Sequence, residues 1–237
     1  MRPDAKATRE HWDRLAATYD QAKARNDVYY RSLKDLFNRA IHPSLRRRVL
    51  EVGCGTGGVL ASLKPDAGLG IDISERMIEK ARSRFAGADN LSFKVVDATE
   101  VAALGPFDAV ISADVFEHVP DWRAVARAMI GACRPGGVVA ISTPNPGWAV
   151  PLWVLEKTRL KMPEGPHLFV GARAIADLLS DRGCTIQRRT THLLLPANLA
   201  GVGRKVSEWA ETAAVLRRWG VIQLVVARKN DENRVPR

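Results

Sequence analysis

The stretch RVLEVGCGTGGVL, residues 48–60, decides the fold class of this chain. Its apolar run has the composition of a buried strand, and the chain then turns through four glycines. Gly53-x-Gly55-x-x-Gly58 matches the fingerprint of a dinucleotide-binding loop, and Asp72 lies at about the distance expected of a ribose-binding acid. Two kinds of cofactor site begin in this way, and the match alone does not choose between them.

Strands alternate with amphipathic helices after this stretch. The predicted strands cover residues 48–52, 68–73, 91–97, 107–112, 138–144, 184–195 and 221–229. The clearest helix spans residues 121–133, with an apolar stripe at helical spacing, and the Arg-Pro-Gly-Gly sequence of residues 134–137 ends it. Because this alternation requires right-handed crossovers, we expect an α/β fold with a mainly parallel sheet and helices on both faces.

The length suits a single domain, which we expect to include residues 1–237. An N-terminal cap of two helices is predicted over residues 1–45, and a cofactor-binding core over residues 46–143. Residues 144–171 and 196–220 are predicted to form two insertions, and residues 230–237 a flexible tail.

Composition and charge narrow the classes of partner and compartment. The net charge is +10, but the basic residues are scattered and are not interleaved with aromatic residues, so we expect a solvated basic surface and no specific nucleic-acid partner. The three cysteines are far apart and odd in number, which indicates a reducing compartment. The first residues contain no apolar signal core, so the predicted location is cytoplasmic.

Two acidic residues argue against a dinucleotide. The negative charge of Glu51, at the end of the first strand, would repel a pyrophosphate but attract a sulfonium or amino group. Asp97 ends the third strand, where its carboxylate can accept a hydrogen bond from an adenine amino group. The stretches FDAVISADVFEHV (107–119) and RPGGVVAIS (134–142) then supply the fourth and fifth strands with their connection.

Together, residues 48–143 resemble the class I, Rossmann-like S-adenosylmethionine-dependent methyltransferases. The resemblance implies S-adenosylmethionine as cofactor. It also implies a seven-stranded, mainly parallel sheet with an antiparallel last strand, N-terminal helices and a helical lid insertion. In that family the loop Glu51-x-Gly53-x-Gly55-x-Gly57 wraps the methionine part of the cofactor, and the acid at Asp72 binds both ribose hydroxyls.

The same resemblance assigns the rest of the cofactor site. Asp97 and Ala98 contact adenine, Met77 packs on its ring, and Tyr19 covers the cofactor. The complete predicted set is Tyr19, Glu51, Gly53, Cys54, Gly55, Thr56, Gly57, Asp72, Ile73, Met77, Asp97, Ala98 and Ala113. Met77 as plain core, Tyr19 as an ordinary helix-face aromatic and Gly57 as a packing glycine remain alternatives.

Two histidines are candidate catalytic bases. His118 follows the fourth strand, at the edge where open α/β sheets bind ligands, and His167 lies in a Pro-Gly turn that we expect at the mouth of the site. SADVFEHVPDW (112–122) resembles the small-molecule O-methyltransferases that include those of ubiquinone biosynthesis, some of which deprotonate a hydroxyl with this histidine. Packing at the start of the next helix is the alternative for His118. Asp114, Glu117 and His118 form too weak a pattern for a metal site, and none is predicted.

The two insertions are predicted to select the acceptor. Residues 144–171 combine tryptophans and leucines with Lys157, Arg159 and Lys161, which suits a lipophilic or acidic small molecule or contact with an anionic membrane surface. A helix packed on the core with a solvated basic face is the alternative. If 144–170 forms a lid, it must lie on the glycine-loop side of the sheet.

The predicted function is therefore methyl transfer to a hydroxyl of a small lipophilic or aromatic molecule. N- or C-methylation of a small molecule or lipid headgroup remains open. An RNA methyltransferase is disfavoured because the fourth strand ends in SADVFEHV (112–119) and not in a loop of the Asp/Asn-Pro-Pro-Tyr type. Glu51 disfavours an NAD-linked oxidoreductase, and the intact glycine loop disfavours a non-catalytic binding protein.

Overall fold

The computed structural model describes residues 5–157, 168–193 and 220–231. The α-helices are α1 (Ala5–Leu15), α2 (Tyr19–Arg25), α3 (Asp27–Ala40), α4 (Gly58–Ser62), α5 (Glu75–Arg84), α6 (Trp122–Ala132), α7 (Ala149–Lys157) and α8 (Ala172–Asp181). The strands are β1 (Arg48–Val52), β2 (Ala67–Asp72), β3 (Leu91–Val95), β4 (Phe107–Ala113), β5 (Cys133–Pro144), β6 (Cys184–His192) and β7 (Ile222–Lys229). Short 3₁₀ turns cover Pro43–Leu45, Ala98–Leu104 and Pro146–Trp148.

The strands form one seven-stranded sheet in the order β3-β2-β1-β4-β5-β7-β6. The pairs from β3 through β5 are parallel, whereas β7 runs antiparallel between β5 and β6. This confirms the predicted α/β class and the antiparallel last strand. Strand order reverses between β1 and β4, so the carboxyl ends of these two strands and β2 flank the crevice where such sheets bind ligands.

Alternate residues of the central strands enter two apolar cores, one on each face of the sheet. Along β4, Ala109 and Ile111 pack with α3 and α4, whereas Val110 packs with α6 and α8. All three side chains are buried, as expected of a strand covered on both faces. These strands are therefore continuous apolar runs in the sequence because both of their faces are buried.

The N-terminal cap differs from the predicted pair of helices. Three helices form, because the segment predicted as two is interrupted after Leu15 and again at Asn26. Asn26 has φ −112° and ψ 40°, which is not helical, and its backbone N–H closes α2 by donating to the carbonyl of Lys23. Of the three helices only α3 has buried residues, so apolar spacing alone does not show where the first two begin and end.

The first insertion begins with α7, although it contains Pro151. Proline is tolerated there because it lies in the first turn, where its missing N–H has no intrahelical acceptor. The chain then returns at Leu168 and forms α8, which the sequence analysis did not predict. Within the described ranges, none of the helices has the length and apolar character needed to cross a bilayer.

Candidate active site

A cavity of about 240 Å³ opens at the carboxyl ends of β1, β2 and β4, beneath α1. It brings together ten of the predicted site residues: Tyr19, Gly53, Gly55, Asp72, Ile73, Met77, Asp97, Ala98, Ala113 and His118. Part of the glycine loop, the two acids predicted to bind the cofactor and the candidate base therefore line one cavity.

Backbone conformation explains the first two glycines of the loop. Gly53 and Gly55 have φ of +70° and +51°, which L-residues with a side chain rarely adopt. A Cβ atom at Gly53 would lie 2.3 Å from Cγ2 of Val115, and one at Gly55 would lie 3.2 Å from the ring of Tyr19. Because neither residue has a side chain, the backbone of the glycine loop itself forms part of the cavity wall.

Asp72 joins β2 to the glycine loop. Its Oδ2 accepts a hydrogen bond from the backbone N–H of Gly55 at 2.9 Å, and its Oδ1 accepts one from Ser74 at 2.9 Å. Burial raises the pKa of the Asp72 carboxyl, and these backbone donors oppose that shift. Ser74, in turn, is the N-cap of α5, since its hydroxyl accepts from the N–H of Met77.

The adenine end of the predicted site is largely apolar. Met77 is 1% exposed and lies in the cavity wall with Ile73 and Ala98, so its two proposed roles, core and ring contact, are compatible. Asp97 caps the following turn, because its Oδ1 accepts from the backbone N–H of Thr99 at 2.8 Å. An apolar surface bordered by a carboxylate suits a purine with an exocyclic amino group.

Glu51 does not belong to the cavity wall. Its carboxyl is buried, and Oε2 accepts a hydrogen bond from the N–H of Leu60 at 2.8 Å, inside the first turn of α4. Desolvation raises the pKa of Glu51 to about 8, against the opposing effects of the Leu60 N–H and the Lys23 charge. The predicted contact between Glu51 and a ligand stays a prediction. The hydrogen bond between Glu51 and Leu60 also links β1 to the start of α4, on the other side of the glycine loop.

The other three loop residues also lie outside the wall. Cys54 is buried against Gly70, and burial raises the pKa of its thiol well above the usual range. The hydroxyl of Thr56 donates to Oδ1 of Asp20 at 2.8 Å, which fastens the loop to α2. Gly57 begins α4 with φ +76°, and a Cβ there would lie 2.7 Å from the ring of Phe93. For Gly57, the packing alternative accounts for the observed contacts.

His118 also lines the cavity, with its side chain 8% exposed. Its Nε2 is 3.9 Å from Oε1 of Glu117, and its ring meets Trp12 of α1 edge to face. The backbone N–H of Leu168 donates to the carbonyl of Glu117, so the end of the first insertion returns beside this histidine. The sequence analysis missed Trp12, whose only signal was its place in an amphipathic segment.

Asp114 is a further residue of the cavity wall. It follows β4 with φ +54°, and it lines the same cavity as His118. Tyr29 donates to its Oδ2 and Ser142 to its Oδ1, each at 2.7 Å. A left-handed non-glycine residue persists only where its surroundings hold it, and these two hydrogen bonds hold Asp114 in place.

Some predicted acceptor-site residues lie outside the described ones. They are His167, Arg159, Lys161 and most of the second insertion, residues 196–219. In the described part of the first insertion, Leu152 is buried against the core, while Trp153 is 59% exposed. Trp148 and Phe169 pack on the same core cluster as Leu152.

Comparison with known proteins gives consistent matches. The sequence model of a methyltransferase domain family matches residues 21–188. The ubiquinone biosynthesis O-methyltransferase of Neisseria meningitidis serogroup C is 36% identical over 160 residues, which make up 61% of this chain and 67% of that protein. The enzyme of the same name from Thiobacillus denitrificans is 38% identical over 109 residues, 44% of this chain and 47% of its own length. The chain thus spans two thirds of the first relative and about half of the second.

Solved structures share the fold over nearly the whole chain. Magnesium protoporphyrin IX methyltransferase from Synechocystis, with bound S-adenosylhomocysteine, superposes with a TM-score of 0.69 at 17% identity and covers 96% of this chain and 100% of its own. The N-methyltransferase NodS from Bradyrhizobium japonicum, also with S-adenosylhomocysteine, has a TM-score of 0.68 at 17% identity, with coverage of 94% and 99%. At such low identity these structures support the fold alone.

Proposed function

Because this chain belongs to the methyltransferase domain family and is an S-adenosylmethionine-dependent methyltransferase, we propose that it methylates a hydroxyl group of a small apolar molecule. The observation that carries the proposal is the position of His118. This histidine lies in the wall of the same cavity as the glycine loop and Asp72. An imidazole that lines the cofactor cavity is placed to act as a general base on a bound hydroxyl.

The residues present fit the cofactor. Gly53 and Gly55 form a wall that a Cβ atom would narrow, as expected where a ligand lies against backbone. Asp72 supplies carboxylate oxygens for vicinal hydroxyls, and Met77 with Ile73 supplies apolar surface for a flat ring. When bound, S-adenosylmethionine provides a methyl group on a positively charged sulfur.

The reaction needs positioning and the removal of one proton. His118 would accept the proton of the acceptor hydroxyl as its oxygen bonds to the methyl carbon and the carbon–sulfur bond breaks. Glu117, with Oε1 at 3.9 Å from Nε2, stabilises the imidazolium that forms. The ring of Trp12, which packs at nearly a right angle to the imidazole, limits rotation of the histidine, and the proton then leaves to solvent.

The acceptor is proposed to be lipophilic or aromatic. Val150, Trp153, Val154 and Leu168 expose apolar surface on the first insertion, and Leu168 lies beside Glu117. Exposed apolar side chains at this density indicate a contact surface for a ligand or a membrane. The matched relatives are named for O-methylation in ubiquinone biosynthesis, which favours phenolic acceptors among the lipophilic ones.

A screen with methyl-labelled S-adenosylmethionine tests this proposal. Phenols and quinols with side chains of graded length would be incubated with the full chain, beside matched amines and carbon acids, and the methylated atom would be located by NMR. Asp72→Asn, which is expected to lose cofactor affinity, serves as the inactive control. Label on a phenolic oxygen supports O-methylation, whereas label only on nitrogen or carbon acceptors contradicts it.

A further inference from the structure

A second cavity, of about 500 Å³, lies on the other side of the glycine loop. Helices α2 and α3 form one wall and α5 forms the opposite one, with Thr56, Gly58 and Val59 between them. Among the described residues, none lines both this cavity and the candidate active site. The hydrogen bond from Thr56 to Asp20 and the ring of Tyr19 separate the two. We call this second space the basic cavity.

Positive charge dominates the basic cavity. In the described chain its charged lining residues are Lys23, Arg31, Lys34, Lys80, Arg84, Asp20 and Asp27. Arg31 is paired with Asp27, and Nη1 of Arg84 lies 3.7 Å from Oδ1 of Asp20. Five cations and two carboxylates leave an excess of three positive charges around one concave space.

Lys34 shows how the neighbouring positive charges affect a lysine of the basic cavity. The pKa of its ammonium is lowered, first by desolvation and then by the positive charges of Arg84 and Lys23. Its Nζ lies over the start of α4, 3.8 Å from where a Cβ at Gly58 would be. Repulsion among like charges in a cavity is relieved when an anion binds between them.

We propose that the basic cavity binds a phosphate group, either of a soluble phosphate ester or of a phospholipid headgroup. A phosphate monoester carries about two negative charges and three acceptor oxygens near neutral pH, which suits a lysine and an arginine that face each other from different helices. A carboxylate carries a single negative charge and would neutralise less of the excess positive charge in the cavity. The concave shape suits a single headgroup better than an extended polyanion. The inference does not depend on which acceptor is methylated.

Calorimetry with inorganic phosphate tests the site, with chloride used to hold the ionic strength constant. Lys34→Gln/Arg84→Gln removes one cation from each wall, and Lys94→Gln/Arg189→Gln removes the same charges from exposed positions on β3 and β6. Each lost charge-assisted hydrogen bond is expected to weaken binding by about tenfold, so the first variant should lose phosphate affinity and the second should keep it. Lys34→Arg/Arg84→Lys, which preserves charge, should retain binding and controls for folding.

Two results would overturn the proposal. One is equal phosphate affinity in the cavity variant and the surface variant, which would mean a general response to net charge. The other is a loss of S-adenosylhomocysteine affinity in the cavity variant as large as the loss of phosphate affinity, because the cavity would then serve the cofactor.

Vesicles distinguish the two sources of the phosphate. If the source is a lipid, Lys34→Gln/Arg84→Gln should weaken binding to phosphatidylglycerol vesicles more than Lys94→Gln/Arg189→Gln does, with phosphatidylcholine as the uncharged reference. If the two variants bind these vesicles equally but only the cavity variant loses inorganic phosphate, the source is a soluble ester. Both patterns support a phosphate site.

Discussion

The ring of Trp12 meets the ring of His118 edge to face, with centroids 5.0 Å apart and planes at 81°. Trp12 also meets Tyr19 in the same way, at 6.2 Å and 88°. Helix α1 therefore does more than cover the cavity, because one of its side chains packs on the candidate base and on the aromatic predicted to cover the cofactor. Aromatic pairs of this geometry contribute about 0.5–1.5 kcal/mol each.

The first prediction concerns His118. His118→Asn should lower kcat by about 10²–10⁴-fold, since general base catalysis typically contributes that much, and leave S-adenosylhomocysteine affinity unchanged. His42→Asn, at an exposed histidine that caps the 3₁₀ turn before β1, is the matched control and should have no effect on kcat. Raising the pH should partly restore the His118 variant with acidic phenols, which ionise without help. A His118 variant with normal turnover at neutral pH would limit this residue to packing.

The second prediction concerns Asp72. Asp72→Asn should weaken S-adenosylhomocysteine binding by about 1.5–3 kcal/mol, the usual loss for a hydrogen bond to a charged group. The amide also replaces one of the two acceptor oxygens that bind Gly55 and Ser74, so the melting temperature should fall. Asp66→Asn removes the same charge from the exposed turn before β2 and should change neither quantity. Unchanged affinity in a folded Asp72 variant, measured by calorimetry, would remove Asp72 from the cofactor site.

These residues show how far the sequence determines the site. The sheet was predictable because apolar runs, glycine turns and the alternation with helices each have a backbone cause. The positions of Asp72 and His118 followed from strands whose carboxyl ends meet at one edge. The contact between Trp12 and His118 joins segments far apart in the chain, and no local pattern encodes it. The left-handed Asp114 is likewise held by tertiary partners, Tyr29 and Ser142.

A pH effect follows from the buried carboxyl of Glu51. Its pKa is raised to about 8 in the folded protein, whereas an unfolded glutamate titrates near 4.3. Between roughly these pH values the folded state holds a proton that the unfolded chain has released, so the free energy of unfolding falls as pH rises, by at most about 1.4 kcal/mol per unit. Glu51→Gln has no such proton, and its amide oxygen can still accept from Leu60. Its stability relative to the parent should therefore rise up to about pH 8 and then level off.

Urea unfolding from about pH 5 to about pH 9 checks this difference, because ΔG is obtained from the linear dependence on denaturant. The control is Glu75→Gln at the exposed start of α5, which should leave the pH profile of the parent unchanged. Parallel profiles for Glu51→Gln and the parent would mean that Glu51 ionises normally in the folded state.

The fourth prediction concerns the two donors to Asp114. Burial and the neighbouring Asp114 charge raise the pKa of the Tyr29 phenol well above its usual range, so this hydroxyl stays protonated and donates. Tyr29→Phe and Ser142→Ala should each lower the free energy of unfolding by about 1.5–3 kcal/mol. Because both donors share one carboxylate, the double variant should deviate from additivity by at least about 0.5 kcal/mol. If the two losses add to within about 0.5 kcal/mol, Tyr29 and Ser142 do not act together on Asp114.

The last prediction concerns the exposed face of α7. Trp153 is 59% exposed, and Nζ of Lys157 lies 5.9 Å from its ring centroid, so an apolar surface and a cation are adjacent on the first insertion. If this face contacts the apolar part of the acceptor, Trp153→Ala should raise the KM for acceptors with long alkyl chains several-fold, since a buried methylene contributes about 0.8 kcal/mol. Short-chain acceptors should be affected less, and S-adenosylhomocysteine affinity should not change. Equal KM values for parent and variant across the series would mean that α7 does not select the acceptor.

If this face of α7 instead lies on an anionic membrane, binding to anionic vesicles should weaken as salt rises, because the attraction is screened over about 8 Å at physiological ionic strength. Vesicle binding should also weaken in Lys157→Gln, which removes a positive charge from this face.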